Sequence, residues 1–274
     1  MNEPAHTLRL TLLGIGGAFD ADRGIANTGA LLEILQDQQV LTRILIDCGH
    51  TCGRQLLQRE LTYEDIDTVL ITHAHGDHID GLEVVGYKSR FLYNRRVKLL
   101  SRPVVLDQIW QSLHPKMGRL QLAADRSVEA NMDDYFEPIP TPEDEPIPLA
   151  DGRLTVRFIP VHHVHGMPAY ALIFVLGNQG PCVRWSGDTT FDPESPLFAD
   201  VQHQRGDMLF HDCIFYPYYD ATVHTHHSSL CTLGEEVRAH TVLVHHGIIE
   251  EQPERRDQMI LGQPFDVYTF PIPT

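Results

Sequence analysis

Apolar positions along the chain recur mostly with a period of two, in short runs, and many runs end at a residue able to bind a metal or carry a proton. Residues 8–13 alternate and predict a strand, broken by Gly14-Ile15-Gly16-Gly17. That glycine run does not fit the dinucleotide-binding spacing, because Phe19 stands where a third glycine belongs and no helical pattern follows; it reads as a turn that needs positive φ. Residues 30–35 and 42–46 predict two strands about a polar turn, the second ending in Asp47-Cys48-Gly49. The β-branched run 68–71 predicts a buried strand, and 154–159, 170–176, 182–185, 208–210 and 241–244 predict five more. Helical patterns fall at 54–60, from Ile79 onward, at 103–113 with Trp110 on the apolar face, and at 230–239. Residues 131–152 are acidic and carry Pro138, Pro140, Pro142, Pro146 and Pro148, so they read as an irregular surface connection. Strands that repeatedly end in ligand-type residues describe two packed sheets sharing one functional rim.

The densest such residues follow the strand at 68–71. Thr72-His73-Ala74-His75-Gly76-Asp77-His78 reads H-x-H-x-D-H, and the next residues can start a helix. Imidazole and carboxylate are ligands for zinc, manganese or iron. The spacing strains if all four groups must reach one ion, but it suits two neighbouring ions, with His73 and His75 on one and Asp77 and His78 on the other. Asp47, at a strand end, is a residue that can orient such ligands. Later strand ends carry Val161-His162-His163-Val164-His165, then Ser186-Gly187-Asp188-Thr189 with Asp188 suited to bridging, then His211-Asp212-Cys213, His224-Thr225-His226-His227-Ser228-Ser229 and His245-His246.

Composition narrows the partners. The 274 residues are 42% hydrophobic and carry a formal net charge of −16, with pI near 5.4. Such acidity argues against a broad nucleic-acid surface. Against it stands one basic and aromatic run, Lys88, Arg90, Arg95, Arg96 and Lys98 among Tyr87, Phe91 and Tyr93, which is expected to grip phosphate and stack a base. It lies in the segment 86–152, read as an insertion or lid within a single domain, 1–274. Five cysteines without a C-x-x-C pair indicate free thiols in a reducing compartment. The polar stretch 1–6 has no apolar core of a signal peptide, and no apolar run approaches membrane-spanning length, so the expected location is the cytoplasm.

Taken together, T-H-x-H-x-D-H, a later His, the S-G-D-T Asp and a final strand-end His resemble the signature of the metallo-β-lactamase superfamily, in the same order, over residues 8–270. The resemblance implies an αββα four-layer sandwich with two divalent metal ions, zinc by default with manganese or iron as alternatives. His73, His75 and His163 would hold one ion, Asp77, His78 and His245 the other, and Asp188 would bridge. His163 is preferred over His162 and His165 by its distance to Tyr170, where Ala169 replaces the family's glycine; His245 is preferred over His246 by its place after the last strand. Leu13-Gly14-Ile15-Gly16-Gly17 with Asn27, the S-G-D-T run, His211-Asp212-Cys213 (similar to H-E-A) and His227-Ser228-Ser229 (similar to H-S-T) resemble the ribonuclease Z and phosphodiesterase branch. The tRNA-clamping arm of that branch has no room between His163 and Asp188.

The reading is a phosphodiesterase for a small phosphodiester: a cyclic phosphate, cyclic nucleotide or short oligonucleotide. Hydroxide held between the two cations is the expected nucleophile, Asp77 orients it as well as ligating, and His227, oriented by Asp212, is the expected general acid. Lys88, Arg90, Arg95 and Arg96 would bind the substrate's other phosphates. The partner is a small nucleotide, with no stable nucleic-acid complex; a homodimer is implied by resemblance only. Competing readings are a thioester or lactone hydrolase of the glyoxalase and lactonase type, a metal-stabilised binding protein, and tRNA 3′ processing. The H-D-C and H-S-S motifs favour the phosphodiesterase.

Overall fold

The computed structural model describes residues 6–143, 145–178, 180–198, 207–216, 223–247 and 254–273. Among them are two large sheets. The first runs, in spatial order, through Val267–Ile272, His6–Gly14, Gly29–Gln36, Gln39–Ile46, Thr68–Leu70, Val97–Ser101 and Phe136–Pro140. The second runs through Arg255–Arg256, Met259–Leu261, Thr241–Val244, Met208–Asp212, Cys182–Trp185, Ala169–Leu176, Leu154–Val161 and Ile147–Leu149.

The period-two pattern decides which face each residue joins. Leu8, Leu10, Leu32, Ile44 and Leu70 of the first sheet pack in one core with Val156, Leu172, Phe174, Trp185, Phe210 and Val242 of the second. Their neighbours Leu31, Leu45, Val69 and Leu99 point the other way, into a second core with Leu56, Leu82, Val85, Val105, Ile109 and Leu113 of the helices Cys52–Gln58, Leu82–Phe91 and Pro103–Met117. On the outer face of the second sheet, Leu230 of the helix His227–Leu230 packs with Leu243, Met259 and Leu261. The layering is helix, sheet, sheet, helix.

Three expectations are corrected. Residues 131–152 are not irregular throughout: Phe136–Pro140 pairs in parallel with Val97–Ser101 at one edge of the first sheet, and Ile147–Leu149 pairs with Leu154–Val161 at one edge of the second. Both strands have a single neighbour in the sheet, and there a proline's missing N–H costs no ladder bond. The segment 86–152 supplies two strands and the helix Pro103–Met117 to the first half of the sandwich. The helix expected over 230–239 is two, His227–Leu230 and Glu235–Ala239, parted at Thr232 and Gly234, which are weak helix formers. Finally, none of Gly14, Gly16 and Gly17 has positive φ. They are glycines because of close approach: a Cβ on Gly14 would stand 2.2 Å from the Asn27 carbonyl oxygen, and one on Gly17 would stand 2.8 Å from Cε1 of His245.

Candidate metal centre

At the rim where the central strands end, seven side chains converge. Thr68–Leu70 delivers the loop with His73 and His75, and a single helical turn, Gly76–Ile79, carries Asp77 and His78. His163 follows Leu154–Val161, Asp188 follows Cys182–Trp185, and His245 follows Thr241–Val244. The donors form two sets that share Asp188: His73, His75, His163 and Asp188, and Asp77, His78, His245 and Asp188. Within each set the donor atoms all lie within 4.8 Å of one another. These are the residues assigned from the sequence, in the same grouping; His162 and His165 are exposed, and His246 is occupied with the Gly247 and Gly262 carbonyls.

The distances fit cations between the donors. Two ligands about 2.0–2.1 Å from a tetrahedral zinc ion stand about 3.3 Å apart. His73 Nε2 and His163 Nε2 stand 3.1 and 3.0 Å from His75 Nδ1, and each lies under 4 Å from Asp188 Oδ2. In the other set, His78 Nε2 is 3.5 Å from Asp77 and 3.3 Å from Asp188, and His245 Nε2 is 3.5 and 3.3 Å from the same two carboxylates. Nε2 of His78 and of His245 are buried without a hydrogen-bond partner.

Neighbouring groups hold the His73, His78 and His163 rings so that the inward nitrogen carries the lone pair. A carboxylate only accepts, so His78 Nδ1–H donates to Asp47 Oδ2 at 2.9 Å. His163 Nδ1–H donates to the Val223 carbonyl at 2.8 Å. Thr72 gives its Oγ–H to Asp47 and receives His73 Nδ1–H at 3.0 Å. Asp47 and His245 both have left-handed backbone, φ 57° and 63°, which costs a non-glycine residue about 1–3 kcal/mol. The strain sits at two strand ends that must turn a side chain back into the rim.

Electrostatics favour positive charge here. Burial pushes the His73, His75 and His163 imidazoles toward the neutral form that ligates. Burial opposes charge on His245 as well, but Asp188 and Asp77 outweigh it and push its pKa up to about 9. His78 is raised in the same way against its burial, by Asp188, Asp47 and Asp77. Asp188, though buried, is held well below the usual carboxylate range by His245 and His78. A carboxylate-rich pocket that draws protons onto imidazoles is one that a divalent cation would neutralise.

Two expectations about the chemistry are corrected. Asp212 is in the site, accepting from Thr189 N–H at 3.0 Å, but its imidazole partner is His224, at 2.9 Å from Oδ2. The His224 ring stacks on His245 with centroids 4.6 Å apart. His227 is the first residue of a helix and turns beneath the second sheet, 3.3 Å from Asp257 and beside Cys231. The histidine-rich run offers three imidazoles after Asp212, and nothing in its spacing tells which one faces the rim.

The basic run is at the wrong end. The helix Leu82–Phe91 leaves the metal loop and runs back along the sheet, about 15 Å over its ten residues. Arg95 therefore reaches the Tyr63 and Ile66 carbonyls ahead of the strand Thr68–Leu70, and Arg96 reaches the Asp133 carbonyl. With Arg90 they line a hollow of about 340 Å³ on the rim opposite the metal centre. Lys88 lies over the Tyr63 ring.

A four-layer sandwich with this His/Asp cluster on its rim defines a metallo-β-lactamase-fold protein, and its two donor sets suit divalent cations. The fold superposes with TM-score 0.72 on the metallo-β-lactamase fold protein YhfI from Bacillus subtilis, 18% identical, over 96% of this chain and 99% of that one. A family model described as Anti-Pycsar protein Apyc1 matches residues 8–262, and the chain belongs to that family. An Anti-Pycsar protein Apyc1 from Paenibacillus harenae is 31% identical over 258 residues, 94% of this chain and 98% of its own length. Another, from Bacillus phage 010DV004, is 31% identical over 248 residues, 88% of this chain and 90% of its own. No helix among the described residues is long and apolar enough to cross a membrane.

Proposed function

We propose that this chain opens a cyclic nucleotide by hydrolysis, using two divalent cations, zinc by preference. The observation that carries the reading is the pair of donor sets sharing one buried carboxylate, Asp188; family membership supports the cyclic substrate. Bound together, two such cations supply an activated water and neutralise the phosphate during in-line displacement.

The remaining work falls to the chain. Asp188 and Asp77 bring negative charge between the donors, Asp47 keeps His78 in the ligating tautomer, and Thr72 does the same for His73. Water's oxygen joins phosphorus as one ring P–O bond breaks, and the departing ribose oxygen needs a proton. We assign that proton to His224, whose Nδ1–H is held by Asp212, leaving Nε2 for the transfer. The Gly17 turn lies against the His245 ring, and Phe19 at its tip is 90% exposed, an aromatic surface for the base. Cys48, Cys52, Cys213 and Cys231 are free thiols, in keeping with a cytoplasmic enzyme.

The test is a hydrolysis panel on protein of measured metal content. It compares cyclic mononucleotides of the four bases and bis(p-nitrophenyl) phosphate with a lactone, a glutathione thioester and a β-lactam, with Asp188→Ala as control. Opening of cyclic nucleotides, abolished in the variant, is the expected result. Turnover of the carbonyl substrates alone would refute it.

A further inference from the structure

The motif His227-Ser228-Ser229 is left without a part in the chemistry above, and its surroundings suggest one of a different kind. His227 and Cys231 are four positions apart across one helical turn and share a face. Opposite them, the strands Arg255–Arg256 and Met259–Leu261 are joined by a two-residue turn, Asp257 and Gln258, with φ 48° and 75°. Both residues are left-handed, as a tight hairpin requires. The turn brings the Asp257 carboxylate to 3.3 Å from His227 Nε2, while Cys231 Sγ stands 3.7 Å from the same nitrogen. The three donor atoms all lie within 4.8 Å of one another.

We propose that His227, Cys231 and Asp257 form a separate zinc site, outside the catalytic pair. Tetrahedral zinc, with bonds of about 2.0–2.1 Å to nitrogen or oxygen and about 2.3 Å to sulfur, sets its N and O ligands about 3.3 Å apart and its N and S ligands about 3.6 Å apart. The observed 3.3 and 3.7 Å match both edges. A thiolate and a carboxylate balance the ion's two charges, and the half-exposed Asp257 leaves the fourth position open to water. The thiolate makes the site selective for zinc or cobalt over magnesium or manganese. The inner wall is the Phe215 ring, 4.9 Å from the His227 ring, with the Arg256 guanidinium on it at 4.8 Å. A bound ion would clamp the hairpin 255–261 to the helix His227–Leu230, three residues beyond His224, and so steady the segment that carries the proton donor.

Cobalt distinguishes this site from the catalytic one, whose donors are all imidazole and carboxylate. The protein is titrated with Co²⁺ in excess of two equivalents, and near-ultraviolet thiolate-to-cobalt charge transfer is followed along with bound metal. The expected result is a third equivalent that brings in the charge-transfer band. Both should be lost in Cys231→Ser and kept in Cys182→Ser. Asp257→Asn, a substitution on the exposed turn, should lose the third equivalent at the same cobalt concentration while two equivalents stay bound. Saturation at two equivalents with no thiolate band overturns the proposal, as does a band that survives in Cys231→Ser or a third equivalent that survives in Asp257→Asn. The readout is independent of turnover, so it stands or falls separately from the proposed reaction.

Discussion

Asp47 belongs to neither donor set, yet replacing it by asparagine should cost the protein much of its affinity for a cation at His78. The residue is 1% exposed and uses both oxygens as acceptors. Oδ1 takes the Thr72 backbone N–H at 2.9 Å, and Oδ2 takes His78 Nδ1–H at 2.9 Å. Asparagine has one acceptor oxygen and one NH₂. The Thr72 amide is fixed in the backbone and keeps the oxygen, so the NH₂ is left facing His78. To avoid two N–H groups meeting, the imidazole moves its proton from Nδ1 to Nε2, and Nε2 is the atom turned toward Asp77 and Asp188. Loss of such an orienting partner lowers metal affinity about 10–100-fold, or about 1.4–2.7 kcal/mol. The shape is unchanged, so Asp47→Asn should remain folded. Asp47→Ala would also strand three buried donors, the Thr72 N–H and Oγ–H and the His78 Nδ1–H, at about 1–3 kcal/mol each. The assay is titration calorimetry with zinc on chelator-treated protein, read beside bound metal and circular dichroism. If Asp47→Asn binds two ions with wild-type affinity, the tautomer argument is wrong.

Three further outcomes follow from the same geometry. His224→Gln should lower kcat by about 10²–10⁴-fold with both ions still bound, while His227→Gln should lower it far less; steady-state kinetics with metal analysis separates the two. Arg90→Ala and Arg96→Ala, on the opposite rim, should leave KM for a cyclic nucleotide unchanged, and a raised KM would return the basic run to substrate binding. Chelation should lower the melting temperature, because the ions bind the folded state; about 2.7 kcal/mol of stability is lost if zinc had been present at 100 times its Kd, and differential scanning calorimetry before and after zinc is restored measures it.

What the sequence determined by itself is whatever depends on neighbours along the chain. Alternation assigned the inward and outward faces of the strands, since side-chain direction in a strand is a local property. Four of the seven ligand-type residues stand within one loop, so His73, His75, Asp77 and His78 were legible as a group, and the strand-end residues His163, Asp188 and His245 followed from the resemblance. The tertiary structure decided what depends on which way a segment travels and what it meets. Proline-bearing strands at 136–140 and 147–149 read as loops because their tolerance comes from a place at the sheet edge, which no local pattern records. The run from Lys88 to Lys98 follows the metal loop closely in sequence, but a ten-residue helix carries it to the far rim. His224 and His227 are equally plausible partners for Asp212 by spacing, and only the helix start at His227 turns one ring inward to the rim and the other outward, to Cys231 and Asp257. Local chemistry could be read from the chain, but the pairing of distant groups required the packing of two sheets.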